Sequence, residues 1–291
     1  MTNARPTAGR VLGSEEVRSR LADLFDAEPV DLTELDGGMI GTVSLAAFAD
    51  RDPVVAKTGE TPLSAEAAML RALAPHLPVP EVYHATDDLL VLERVSGEST
   101  FSPAAERDAA ERLADLHAAT ADAFGFERDT LTGPVRQPNP RTDSWPAFFR
   151  DHRVLHAAEG ARAAGELPAG LYERVRSAAA DFESLLQEPP APALIHGDVW
   201  TTNVLAEDGE VTAFLDPATY YADPEVELAY ARWTDTFGEA FFERYEERRG
   251  VADGFAERRP VYTLYPLLIH AWLFGERYVD ELDRTLAGLG Y

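Results

Sequence analysis

Residues 193–205 read Ala-Leu-Ile-His-Gly-Asp-Val-Trp-Thr-Thr-Asn-Val-Leu, and residues 214–217 read Phe-Leu-Asp-Pro. Two apolar runs, Ala193–Ile195 and Ala213–Leu215, predict short buried strands. His196, Asp198, Asn203 and Asp216 follow or separate them. Strands this apolar that deliver two carboxylates and an amide into one place need partners for those groups, because an unpaired buried charge is unfavourable. A divalent cation together with phosphate has the matching chemistry.

The chain around this stretch has 291 residues, 45% of them hydrophobic, enough for one large domain or two moderate ones. No apolar run approaches the roughly 20 residues that cross a bilayer. Residues 1–10 lack the apolar core of a secretion signal, so a cytoplasmic protein is expected. The absence of cysteine excludes disulfides, thiolate catalysis and zinc–thiolate sites. Fifty-one acidic against 26 basic residues leave a net charge of −25, which makes nucleic acid and anionic membranes poor partners. The acids are dispersed, as in Glu15-Glu16, Asp87-Asp88 and Glu246-Glu247. Such a surface repels itself at low salt, and a screening length of about 3 Å near 1 M salt removes most of that repulsion. The composition therefore predicts a halophilic cytoplasm.

Twenty-five of the 26 basic residues are Arg, and the single Lys is Lys57. It ends the β-branched, apolar segment Pro53-Val-Val-Ala-Lys57, which predicts a strand. A compact ammonium on a flexible stem does not substitute freely for a guanidinium fork, so a lone lysine there points to a specific task. Asp198 and Asn203 are five apart, the spacing between the catalytic Asp and the metal-binding Asn of a protein-kinase catalytic loop. Asp216, after the second short strand, falls where kinases place a second metal-binding Asp. Together these residues point to phosphoryl transfer from ATP.

Taken in order, 13–25 predicts a helix with Ser14 as N-cap, and 30–35 and 43–48 predict two strands. Gly37 and Gly38 lie in the loop between those strands, where glycine permits close approach of backbone to phosphate. Residues 64–73 predict a helix carrying Glu66 near its start. Strands at 79–84 and 89–93 complete a β-rich part, and Arg94–Gly97 is the expected hinge. Beyond it, helices are predicted over 103–119, 145–156, 170–186, 225–237, 239–248 and 259–273. The Pro-, Gly- and Thr-rich stretch 125–146 reads as a loop long enough for a lid or a simple connection. His117 reads as a packing or capping residue. The expected fold is α+β and two-lobed, with an N-lobe over 1–95 and a mainly helical C-lobe over 96–291.

With these pieces assembled, the chain resembles the fructosamine kinase (ketosamine 3-kinase) family, within the protein-kinase-like group that includes aminoglycoside phosphotransferases and choline kinases. The segment 196–203 is similar to the family's H-G-D-L-W-x-x-N. The segment 214–221, Phe-Leu-Asp-Pro-Ala-Thr-Tyr-Tyr, is similar to its I-D-P-A-x-Y-Y, and 262–270 to its C-terminal Y-x-L-Y-x-L-L-x-H. The resemblance runs from about Val11 to the C-terminus and implies a protein-kinase-like fold. It implies ATP between the lobes, with adenine near Leu92–Val95 and Glu93 and Val95 in contact with the nucleotide. Lys57, held by Glu66, would meet the α- and β-phosphates, Asn203 and Asp216 would hold Mg²⁺, and Asp198 would take the proton of the attacking hydroxyl. Trp200 and His270 are the implied substrate residues. The implied acceptor is a ketosamine, free or on a glycated protein lysine, phosphorylated on its 3-hydroxyl. Where many relatives have Asp, this chain has Glu227, a support position. Some relatives carry a cysteine in the Gly-rich loop, where Met39 stands here.

Three other readings remain on the sequence alone. One is a kinase of another acceptor, such as an aminoglycoside, choline or a different sugar amine. Another is a nucleotide-binding pseudokinase, and the last is a hydrolytic metal centre with His196, Asp198 and Asp216 as ligands. Oligomeric state is not legible.

Overall fold

The computed structural model describes residues 10–35 and 41–291. Its N-terminal part begins with α1 (Ser14–Phe25), which buries Val17 and Leu21. Ser14 is the first helical residue and Gly13 the N-cap, so the expected Ser14 cap is absent. Strands β1 (Asp31–Glu34), β2 (Thr42–Ala47) and β3 (Val54–Thr58) follow, then α2 (Leu63–Leu73), β4 (Val82–Ala85) and β5 (Leu90–Glu93). The strands form one antiparallel sheet in the order β1-β2-β3-β5-β4. Side chains alternate between faces with period two. In β3 this buries Val54, Ala56 and Thr58 and leaves Val55 and Lys57 half-buried on the opposite face. One small core joins α1 to Ala46, Val54, Ala56 and Val91, and another joins α2 to Leu90 and Leu92. Residues 94–97 carry no regular structure, and the expected division at 95/96 falls inside them.

Helix α3 (Pro103–Leu116) opens the remainder, capped by the Ser102 hydroxyl, which accepts from the Ala105 amide. The stretch 125–146 contains a hairpin, β6 (Thr130–Thr132) and β7 (Val135–Gln137), too short to show a period in sequence. The helix expected over 145–156 starts as α4 (Trp145–Phe149), passes through a π turn at Arg150–Val154 and continues as α5 (Leu155–Ala164). After α6 (Ala169–Ala180) and α7 (Phe182–Leu185) come β8 (Ala193–Ile195), β9 (Val204–Glu207), β10 (Glu210–Phe214) and β11 (Tyr220–Ala222). The strand expected at 213–215 is thus the end of a longer strand that stops before Leu215. Helices α8 (Glu225–Trp233), α9 (Glu239–Arg249), α10 (Phe255–Phe274) and α11 (Glu276–Gly288) complete the chain. Helix α11 was not expected: its acidic sequence is mostly polar, yet it buries Leu282 and Leu286 against the main core. That core gathers Trp145, Phe148, Phe149, Phe214, Tyr220 and Tyr262 around β8.

Asp223 follows β11 and is buried; its carboxylate accepts from the Glu225 amide at 3.0 Å and from the Tyr262 hydroxyl at 2.8 Å. Burial, reinforced by the Glu225 charge, pushes it up to about 7. A carboxyl group raised by folding contributes stability below its ordinary range, near 3.8, and loses that contribution as pH rises through about 7. Wild-type Tm is therefore expected to fall by several degrees between pH 5 and pH 8 relative to Asp223→Asn, whose amide does not titrate. Thermal melts of both proteins across that range check this, and parallel curves would refute it.

Candidate active site

Strand β8 is buried along its whole length and ends at Ile195. The chain then reverses at Gly197, whose φ is +89°; a Cβ there would lie 2.2 Å from the Ala218 carbonyl oxygen. Glycine is required because the 196–203 loop passes directly over the 216–218 turn. The two segments are locked by antiparallel pairing of β8 with β11. Two further bonds join them: the Leu215 amide donates to the Asn203 carbonyl at 2.8 Å, and the Ala218 amide to the His196 carbonyl at 2.9 Å. Asp216 is held at φ +51°, a left-handed setting uncommon outside glycine.

Asp198 and Asn203 meet as their spacing suggested. The Asn203 amide nitrogen donates to the Asp198 backbone carbonyl and to its Oδ2, both at 3.0 Å. Burial, with the nearby Asp216 charge, pushes Asp198 up to about 7, while Asn203 and the Tyr230 hydroxyl oppose that rise. His196 is fully buried beside Phe214, and its Nδ1 accepts from the Asp198 amide at 3.3 Å. Burial pushes it down, so it is a neutral structural residue. Glu227 occupies the expected support position in a specific way. Its Oε1 accepts from the Gly197 amide at 2.6 Å, and its Oε2 accepts from the His196 amide at 3.3 Å and lies 2.9 Å from His117 Nε2. The Tyr245 hydroxyl lies 2.7 Å from the other His117 nitrogen. Burial alone would raise Glu227, but His117 and the loop amides outweigh it and hold the carboxyl below its usual range. His117 thus packs behind the loop.

Lys57 Nζ donates to Glu66 Oε1 at 2.8 Å and also to Asp216 Oδ1. Burial would lower its pKa, yet the two carboxylates more than compensate and raise it, which keeps the ammonium charged. Lys57 in turn lowers Asp216 against the effect of burial. For Glu66, burial prevails and the pKa is raised. Lys57, Glu66, Asp198, Asn203 and Asp216 share one cleft of about 820 Å³, with Glu93, Val95 and Trp200 also on its walls. Trp200 is half-buried at the cleft rather than enclosed in the core. His270 is placed elsewhere: its Nδ1 lies 2.7 Å from the Pro266 carbonyl, and its ring packs among Trp233, Phe274 and Tyr278. It is not among the residues that line the cleft. Gly37 and Gly38 lie outside the described residues. Tyr230 facing Asp198 was not anticipated, since nothing in its own segment distinguishes it from a core aromatic.

The donor set fits a hard divalent cation. Asn203 directs its amide hydrogens to Asp198, which leaves its carbonyl oxygen for a cation, and the Asp216 side chain is 52% exposed. Two such oxygens, with phosphate and water completing the shell, are how Mg²⁺ is commonly held. Among the described residues no three His, Asp or Glu side chains are grouped to bind an ion by themselves, so the hydrolytic metal centre finds no support.

The model of the fructosamine kinase family matches residues 26–289. A probable ketoamine kinase of Synechocystis is 38% identical over 181 residues, 60% of this chain and 59% of that relative's own length. One from Pasteurella multocida is 32% identical over 231 residues, 77% of this chain and 79% of the relative. Among solved structures, a candidate fructosamine-3-kinase from Thermobifida fusca superposes with a TM-score of 0.84 at 29% identity, covering 94% of this chain and 98% of that one. An aminoglycoside phosphotransferase superposes at 0.68 with 18% identity over 94% and 97% of the two chains, a likeness of fold alone.

Proposed function

Because this chain belongs to the fructosamine kinase family, we propose that it transfers the γ-phosphoryl group of ATP to the 3-hydroxyl of a ketosamine. The observation that carries this reading is Lys57, held between Glu66 and Asp216 in the same cleft as the Asp198–Asn203 pair. Each part has a task in phosphoryl transfer. The backbone at 92–95 takes the adenine, and Lys57 meets the α- and β-phosphates. Asn203 and Asp216 hold Mg²⁺, which when bound supplies positive charge to the phosphate oxygens. Asp198 accepts the proton of the acceptor hydroxyl as that oxygen bonds to the γ-phosphorus. The bond from the γ-phosphorus to the bridging oxygen breaks, and ADP leaves. Glu227 keeps Asp198 in place through the loop backbone. The flat face of Trp200 is suited to a sugar ring. The 3-phosphate turns C3 into a leaving-group site: the product enolises, expels inorganic phosphate from C3, and water hydrolyses the resulting C1=N bond, which frees a small amine or a protein lysine and a dicarbonyl sugar.

The halophilic, cytoplasmic reading of the charge sets the assay conditions. Purified protein in high KCl with Mg-ATP is expected to form ADP with fructose-lysine in preference to choline, an aminoglycoside or another sugar amine. Coupled ADP release across that panel tests the acceptor. A Mg-ATP thermal shift without turnover on any acceptor would instead favour a pseudokinase.

A further inference from the structure

The β6–β7 hairpin leaves the helical part of the molecule and reaches across to the N-terminal part. Its base is pinned by a buried cation. Arg153 is fully buried and makes no ion pair among the described residues. Its guanidinium donates to Asn139 Oδ1 at 2.5 Å and to the Pro138 carbonyl at 2.9 Å, and lies 3.8 Å over the ring of Tyr220 in β11. Asn139 passes the constraint on, donating to Thr130 Oγ1 at 2.7 Å and to the Arg128 carbonyl at 3.1 Å. Gln137 donates to the Ala218 carbonyl at 3.4 Å, the same oxygen that requires glycine at 197. A buried charge without a counter-ion is retained at a loss of stability unless its donors are used. Here Nη1 and Nη2 are used, Nη1 also donating to the His152 carbonyl at 2.8 Å, while Nε has no partner; together with Gln137 and the Tyr220 stacking they tie the hairpin base to the segment that follows Asp216.

β6 packs against α2, and Leu131 lines the same cleft as Glu66 and Met69. A second tie crosses nearby, from the Thr219 amide to Met69 Sδ at 3.3 Å. Met69 lies one helical turn beyond Glu66, so both ties bear on the turn that presents the carboxylate. Against its own sheet α2 packs through Leu63, Ala67 and Leu70. Directional bonds add to these at the start of the helix, where the Leu63 amide donates to the Asp87 carbonyl at 3.1 Å and the Ser64 hydroxyl to the Asp87 carboxylate; further along, the Glu66–Met69 turn is met from across the cleft by the hairpin and the Thr219 amide.

We propose that this hairpin is a strut that sets α2 from the other side of the cleft, with Leu131 as a positioning residue for the Lys57–Glu66 pair. The inference rests on the phosphoryl-transfer reading above. Since Leu131 also shares the cleft with Asp198 and Trp200, an acceptor pressing on the hairpin biases the lysine that meets the nucleotide. By linkage, nucleotide then biases acceptor binding equally.

The test compares Leu131→Ala with Leu131→Met. Leu131 is half-buried, so Tm is expected to move little. Leu131→Ala is expected to lower kcat/KM for Mg-ATP about tenfold, and Leu131→Met to stay within about twofold of wild type. In a Glu66→Gln background Leu131→Ala adds nothing further, because the residue acts through Glu66. Displacement of a fluorescent ATP analogue reads the same differences without any acceptor. A chain that binds nucleotide but phosphorylates no ketosamine therefore still tests the strut, whereas wild type that binds no nucleotide overturns the kinase reading and the strut together. Nucleotide affinity and ATP kinetics of Leu131→Ala within twofold of wild type, or losses that add fully to those of Glu66→Gln, refute the strut.

Discussion

Asp198→Asn is expected to lower kcat by about a thousandfold while KM for ATP changes only a few-fold, the scale on which general-base catalysis contributes. The substitution is isosteric, and its side-chain oxygen still accepts from Asn203, so the loop keeps its shape. The variant loses the acceptor for the hydroxyl proton. The pH profile separates this role from a merely structural one. Burial places Asp198 near 7, and Mg²⁺, if held at Asn203 and Asp216 as proposed, would add positive charge that moves the group down. Wild-type kcat is therefore expected to fall as pH drops through a limb below 7, because the base must be deprotonated to act. That limb is absent in Asp198→Asn. Steady-state kinetics from pH 5 to pH 9 check both points, and near-wild-type turnover in the variant would remove Asp198 from its role.

Lys57→Met is expected to reduce kcat/KM for ATP by about a hundredfold or more, comparable to removal of one charged donor from a transition-state site. Its effect has two parts. The ammonium proposed to meet the phosphates is gone, and Glu66 and Asp216, both bonded to Lys57, are left facing each other without a cation. Mg-ATP should then raise Tm much less than in wild type. Lys57→Arg is not expected to restore activity, although this chain uses Arg at every other basic position. A planar fork does not fill the place of a point charge between two carboxylates. Nucleotide titration by calorimetry and ATP kinetics of both variants check this, and full activity in Lys57→Arg would argue against it.

The parts of the molecule that were legible in sequence are those where local pattern and chemistry coincide. Lys57 was identified by its isolation in an arginine-only chain and by the alternating strand that carries it. Asp198, Asn203 and Asp216 were identified by spacing and by apolar flanks too costly to place beside unpartnered charges. Other features had no local signal. The β6 and β7 strands are three residues each, below the length at which alternation can be recognised. Helix α11 is different: Val279, Leu282, Leu286 and Leu289 recur at helical spacing in an otherwise polar segment, a legible signal that the sequence reading left unused. His270 was assigned to the acceptor by resemblance, but its ring is taken up by Trp233, Phe274 and Tyr278.

By itself the sequence determined the strand frame of the cleft and the identity of its charged groups, because a buried ionisable residue must be explained wherever it occurs. Tertiary structure alone decided which of those groups meet. Lys57 and Asp216 are 159 positions apart and share a hydrogen bond; Glu227 anchors a loop 30 positions before it. Arg153 braces a hairpin that reaches the other side of the cleft. Such pairings depend on packing between distant segments, where shape and burial select the partner and no periodicity along the chain records it.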